Sequence, residues 1–161
     1  RRILHLLSQR MSPEPIFAVS ASFAASSVEQ KLETTTVAPV AESATNLIHS
    51  KDAVTLREFA GRSAPIRSER QSVALFVLPS GAATPVSYNT EGEKLILVRR
   101  GRGNVRVGDK TWPVNAGDIA SFPAGQPHRV AADAGKTLKF YAISSPAFGP
   151  ATYREVLPAP K

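Results

Sequence analysis

His128 is one of three histidines in the chain and the residue best placed to do chemistry. It closes the run Gly117-Asp118-Ile119-Ala120-Ser121-Phe122-Pro123-Ala124-Gly125-Gln126-Pro127-His128, a spacing of G-x5-P-x-G-x2-H. A Gly-Asp turn feeds a short apolar stretch, and a Pro-x-Gly turn then delivers the imidazole to the start of the next strand. Near neutral pH an imidazole can accept a hydrogen bond, carry a proton or ligate a metal. The other two, His5 and His49, lie in the leader and the arm that precede the patterned region, and both read as solvent-exposed. There is no cysteine, so disulfides and thiolate metal sites are excluded. Gly101-Arg102-Gly103 lacks dinucleotide-loop spacing, and no serine sits in a nucleophile-elbow context. A Ser87–His128 pair would have no visible acid to orient it.

The elements that must position His128 are short and regularly punctuated. Thirteen prolines and ten glycines in 161 residues favour strands and turns over long helices. Strand candidates are 46–48, 54–56, 72–78, 85–89, 94–99, 104–107, 110–114, 119–122, 128–131 and 137–144, with turn signals about every ten residues. No helical periodicity of useful length is present. This pattern predicts an all-β barrel or sandwich with residues 46–150 as its domain. Residues 1–45 read as a leader, targeting segment or disordered arm, and 151–161 as an irregular tail. Within 1–25, Arg1-Arg2, an apolar run and Ser22-Phe23-Ala24-Ala25 fit an exported or organelle-targeted chain, although Pro13-Glu14-Pro15 interrupts the run and Met11 offers an alternative start. No stretch approaches the roughly 18 unbroken apolar residues of a transmembrane span.

Residues 72–145 resemble the cupin superfamily of double-stranded β-helix, jelly-roll barrels. The second cupin motif matches Gly117, Pro123, Gly125 and His128 without gaps, although Ala132 replaces its terminal asparagine. The first motif, G-x5-H-x-H-x3–4-E-x6-G, is present in outline from Gly81 to Gly101 but has lost its ligands. Its two histidine positions are Ser87 and Asn89, and its glutamate position is Lys94, with Glu93 one place early. The resemblance implies that Ser87, Asn89, Lys94 and His128 point into the barrel. A hydroxyl, an amide and an ammonium beside one imidazole do not make a transition-metal site, so no cofactor is expected. A metal such as Fe, Mn, Ni or Zn would have to use His128, Glu93 and Asn89, which requires a β-bulge to turn Glu93 inward. Two registers remain open, with Lys94 either inward or facing solvent.

Three functions follow from the resemblance. The first is binding of a small polar, anionic ligand by Ser87, Asn89, Lys94 and His128 without an essential metal. The second is an isomerase, lyase or dioxygenase that uses Glu93 and His128, with or without a divalent metal. The third is an interaction module built on the basic hairpin of Arg99, Arg100, Arg102 and Arg106. The formal charge of +7 lies wholly beyond residue 45, because basic and acidic side chains balance before it. No aromatic residue interleaves the arginines to stack bases, which argues against nucleic acid. Trp112, next to Pro113 on a hairpin strand, reads as packing. Relatives commonly dimerise through sheet edges or exchanged arms, so a homodimer is expected with residues 46–58 as the exchanged arm.

Overall fold

Residues 47–49 and 53–157 are described in a computed structural model of the chain. The leader over 1–45 (with His5, Met11 and the targeting reading of 1–25) lies outside these residues, as does the His49 side chain. Twelve strands form: β1 (Leu47–His49), β2 (Thr55–Gly61), β3 (Ile66–Arg67), β4 (Ser72–Leu78), β5 (Ser87–Asn89), β6 (Glu93–Arg100), β7 (Arg102–Val107), β8 (Lys110–Asn115), β9 (Ile119–Pro123), β10 (His128–Ala132), β11 (Leu138–Ser145) and β12 (Tyr153–Glu155). They build two sheets, β1-β2-β4-β11-β6-β9 with β3 on β2, and β12-β5-β10-β7-β8. All pairings are antiparallel except β2–β3. The all-β jelly-roll expectation is met. Among the described residues no helix is long and apolar enough to cross a membrane.

Alternation along the strands explains how the sheets close on each other. In β11, Leu138, Phe140, Ala142 and Ser144 are buried, and the residues between them are less so. Phe140 is opposite Phe76 of β4, and their rings stack with centroids 5.1 Å apart. Leu78, Ile96, Val98, Leu138 and Phe140 are almost wholly buried. Burying each such side chain contributes about 1.5–3 kcal/mol relative to exposure. The turns add their own constraints. Gly101, with φ +90°, joins β6 to β7 where a Cβ would lie 2.0 Å from the Thr137 carbonyl oxygen, so no larger residue fits.

Two stretches depart from the sequence reading. Tyr153–Glu155, in the tail expected to be irregular, pairs with β5 as an edge strand. The prolines lie outside this three-residue run and leave its N–H groups free to pair. Residues of the 46–58 segment form β1 and most of β2, and β2 pairs with the chain's own β4. At the opposite edge, β8 carries Pro113, which removes one N–H from the open side. Trp112 on that strand is about half exposed and lies outside the buried core.

Candidate functional site

The site begins with the turn that precedes β10. Gly125, at φ +74°, donates its N–H to the Asn89 carbonyl at 2.8 Å and so ties the turn to β5. His128 then opens β10, opposite Ser87 of β5 on one side and Val107 of β7 on the other. Its side chain is buried, and its ring lies flat on Phe122, with centroids 4.0 Å apart and planes 11° apart. Phe122 is in turn opposite Lys94 in the other sheet. One turn therefore carries the chain from Phe122 to His128 and brings β6 and β10 to the same point.

The register on β6 settles the choice between Glu93 and Lys94. Pairing with β9 runs without a shift from Glu93 to Leu97. The single irregularity against β11 lies at Lys139/Phe140, near the far end of β6. Lys94 therefore shares its face with the buried Ile96 and Val98, while Glu93 is exposed and accepts a hydrogen bond from Ser121. The bulge that would turn Glu93 inward does not form. This corrects the Glu93–His128 pairing invoked for an enzyme or a metal, because only His128 of the two lines the cavity.

Inside the barrel, Lys94 Nζ lies 3.0 Å from His128 Nε2. The other ring nitrogen, Nδ1, is 2.9 Å from the Gln126 carbonyl. A carbonyl only accepts, so Nδ1 carries the proton, and Nε2 of the neutral ring accepts from the lysine. Burial and the nearby Lys94 charge push the His128 pKa down to about 4, with the Gln126 hydrogen bond opposing the shift. Burial lowers Lys94 to about 8. At pH 7 the pair is thus a cation donating to a neutral imidazole. Of the three ammonium donors, one is used, and no carboxylate among the described residues lies within ion-pair distance of Lys94.

The pair stands in a cavity of about 360 Å³ walled mainly by apolar side chains, including Phe76, Ile96, Phe122, Val130 and Phe140. Ser87 lines it as expected. Asn89 is buried but does not line it, and its Oδ1 has no hydrogen-bond partner among the described residues. Lining residues that the sequence reading did not name include Glu58, Phe148, Tyr153 and Glu155. Glu58 follows Val54 and Leu56 at spacing two, so strand parity alone would have found it. Burial raises its pKa. Phe148 packs edge-on against Tyr153 at 5.4 Å, and nothing in the local pattern of the tail signals that contact. Burial also raises the Tyr153 pKa, opposed by a hydrogen bond with Ser87.

The donor set does not fit a divalent metal. Among the described residues His128 is the only imidazole at the site, its Nδ1 is committed to a carbonyl, and the ammonium occupies the approach to Nε2. Among the described residues no group of three or more His, Asp, Glu or Cys is gathered to hold an ion. The basic hairpin is elsewhere. Arg102 pairs with Asp133 at 3.6 Å and Arg106 with Asp109 at 3.9 Å, Arg99 approaches the Tyr141 hydroxyl, and none of the three lines the cavity.

Two antiparallel sheets wrapped around a cavity, with its polar end built where the turn after β9 meets β6, define a double-stranded β-helix. Residues 74–144 match the family model described as a cupin domain. Similar solved structures include the polyketide cyclase RemF from Streptomyces resistomycificus (23% identity, TM-score 0.57, covering 71% of this chain and 78% of that one). A Cupin 2 conserved barrel domain protein from Salinispora arenicola CNS-205 is similar at 16% identity and TM-score 0.57, covering 74% and 92%. The DMSP lyase DddQ from Ruegeria pomeroyi DSS-3 is similar at 15% identity and TM-score 0.57, covering 67% and 54%. At these identities the likeness is one of fold. No curated protein matches the chain in sequence.

Proposed function

We propose that the barrel binds a small organic molecule whose apolar body fills the cavity and whose acidic head group is held by Lys94, without a metal. The observation that carries this reading is the Lys94–His128 contact. It leaves a cation in a mainly apolar cavity with two N–H donors to spare, and neither Glu58 nor Glu155, the carboxylates that line the cavity, is in ion-pair contact with it. Burying an ammonium without a counter-charge is unfavourable, and an anionic ligand would offset that. Hydrogen bonds to charged groups contribute about 1.5–3 kcal/mol each, which suits Lys94 as the anchor. Ser87 and Tyr153 line the β5–β12 side of the cavity, where the Tyr153 hydroxyl donates to Glu155 Oε1 at 3.2 Å and can still accept from a second polar atom of the ligand.

Calorimetric titration with phenylacetate and a short series of alkyl carboxylates tests the proposal. Saturable binding weakened at least tenfold, or about 1.4 kcal/mol, in Lys94→Met supports it. Binding that is unchanged in Lys94→Met, or absent across the series, contradicts it.

A further inference from the structure

Lys94 has the surroundings of a reactive amine as well as those of an anion anchor. We propose that Lys94 condenses with an aldehyde or ketone carbonyl held in the cavity, forming a protonated imine. The proposal rests on the reading of this cavity as a small-molecule site and names the chemical class that would bond to it covalently.

Geometry carries the argument. Lys94 Nζ opens into an apolar cavity large enough for a small ring and a short chain. His128 Nε2, fixed as an acceptor by the Nδ1–Gln126 contact, lies 3.0 Å from the amine. A neutral amine that donates one N–H to Nε2 keeps its lone pair off that nitrogen and available to a carbonyl bound in the cavity that Lys94 lines. Glu58, Glu155 and Tyr153 share the cavity, but among the described residues no carboxylate lies within ion-pair distance of Lys94, so no direct partner holds the ammonium protonated. Its lowered pKa, about 8, leaves roughly a tenth of the amine neutral at pH 7. Lysines desolvated in apolar pockets are the ones that form such adducts with carbonyl compounds. Lys110 and Lys136, by contrast, are exposed to solvent.

The step balances without an oxidant or reductant. The neutral amine attacks the carbonyl carbon, forming the C–N bond as the π pair moves to oxygen. That oxygen takes up a proton while the nitrogen loses one, giving a carbinolamine. The hydroxyl then takes up a proton from solvent, equal to the one the ammonium released on becoming the neutral amine. The C–O bond breaks with departure of water as the nitrogen lone pair forms the C=N bond. Overall, an ammonium and a carbonyl yield a protonated imine and one water. His128 is a positioning residue in this step, holding the amine through Nε2.

The test is reductive trapping of the full chain with hydrocinnamaldehyde and cyanoborohydride, followed by peptide mapping. The expected adduct has the mass of the probe less one oxygen, forms at Lys94 at least tenfold faster than at Lys110 and Lys136, and forms faster as pH rises through about 8. Lys94→Arg and Lys94→Met should each lose it. In His128→Gln the adduct should form more slowly at the same residue with the same pH midpoint. Labelling of Lys94 no faster than of the exposed lysines overturns the imine. Phenylacetate titration of the same samples separates the two readings. Binding with an inert Lys94 overturns the imine alone, and loss of both overturns the binding reading as well.

Discussion

Lys94 Nζ stands 3.0 Å from His128 Nε2, on the one ring nitrogen that the Gln126 carbonyl leaves open. The two residues come from different sheets, and Phe122, stacked on the histidine and opposite the lysine, joins them. In this barrel an ammonium stands where the resemblance to metal-binding relatives places a carboxylate. That substitution puts a positive charge beside His128 in the cavity, and the two buried groups contribute to the pH dependence of stability.

The histidine sets the acid limb. Its folded pKa, about 4, lies below the ordinary 6.5, so between these values the unfolded chain holds a proton that the folded chain does not. Stability therefore falls as pH drops from 6.5 toward 4, by up to about 3 kcal/mol from this group. Urea unfolding of wild type and His128→Gln at pH 7 and 4.5 checks this. The wild type should lose roughly 2–3 kcal/mol relative to the variant over that interval.

The lysine acts on the alkaline side with the same sign. Its folded pKa of about 8 is below the ordinary 10.5, so the unfolded chain again binds the extra proton between those values. The penalty is complete at pH 7 and disappears as pH rises to 10.5. Relative to Lys94→Met, the wild type should gain about 3 kcal/mol between pH 7.5 and 10.5. Comparing the variant with wild type across pH cancels the titration of surface groups, which both proteins share.

Much of this was legible in the sequence, and the physical reasons differ by element. Turn signals marked most of the barrel strands, and the Pro-x-Gly spacing set His128 at the start of one, because local turn chemistry dictates both. The choice between Glu93 and Lys94 was not local. It depended on an uninterrupted β6–β9 register that links residues far apart in the chain. β12 and the Phe148–Tyr153 contact were missed for the same reason, since a three-residue edge strand takes its stability from its partner β5. Glu58 was readable by parity from Val54 and Leu56.

Glu93 and added metal should both prove silent. Glu93 is exposed and bonded to Ser121, outside the cavity. Glu93→Gln should change stability by less than about 0.5 kcal/mol and leave phenylacetate binding unchanged. Melting scans with Fe, Mn, Ni or Zn salts, and with chelator, should superimpose. A stabilisation by one of these metals that disappears in both Glu93→Gln and His128→Ala would contradict the donor-set argument.

The most direct measurement is a pH titration of the lysine ε-carbons by NMR, with and without phenylacetate. The account predicts one resonance, missing in Lys94→Arg, that titrates near pH 8 in the free protein. Phenylacetate should move its midpoint upward, because an anion beside the ammonium favours the charged form. A Lys94 resonance that titrates near the ordinary 10.5, or a midpoint that phenylacetate leaves in place, would contradict the account.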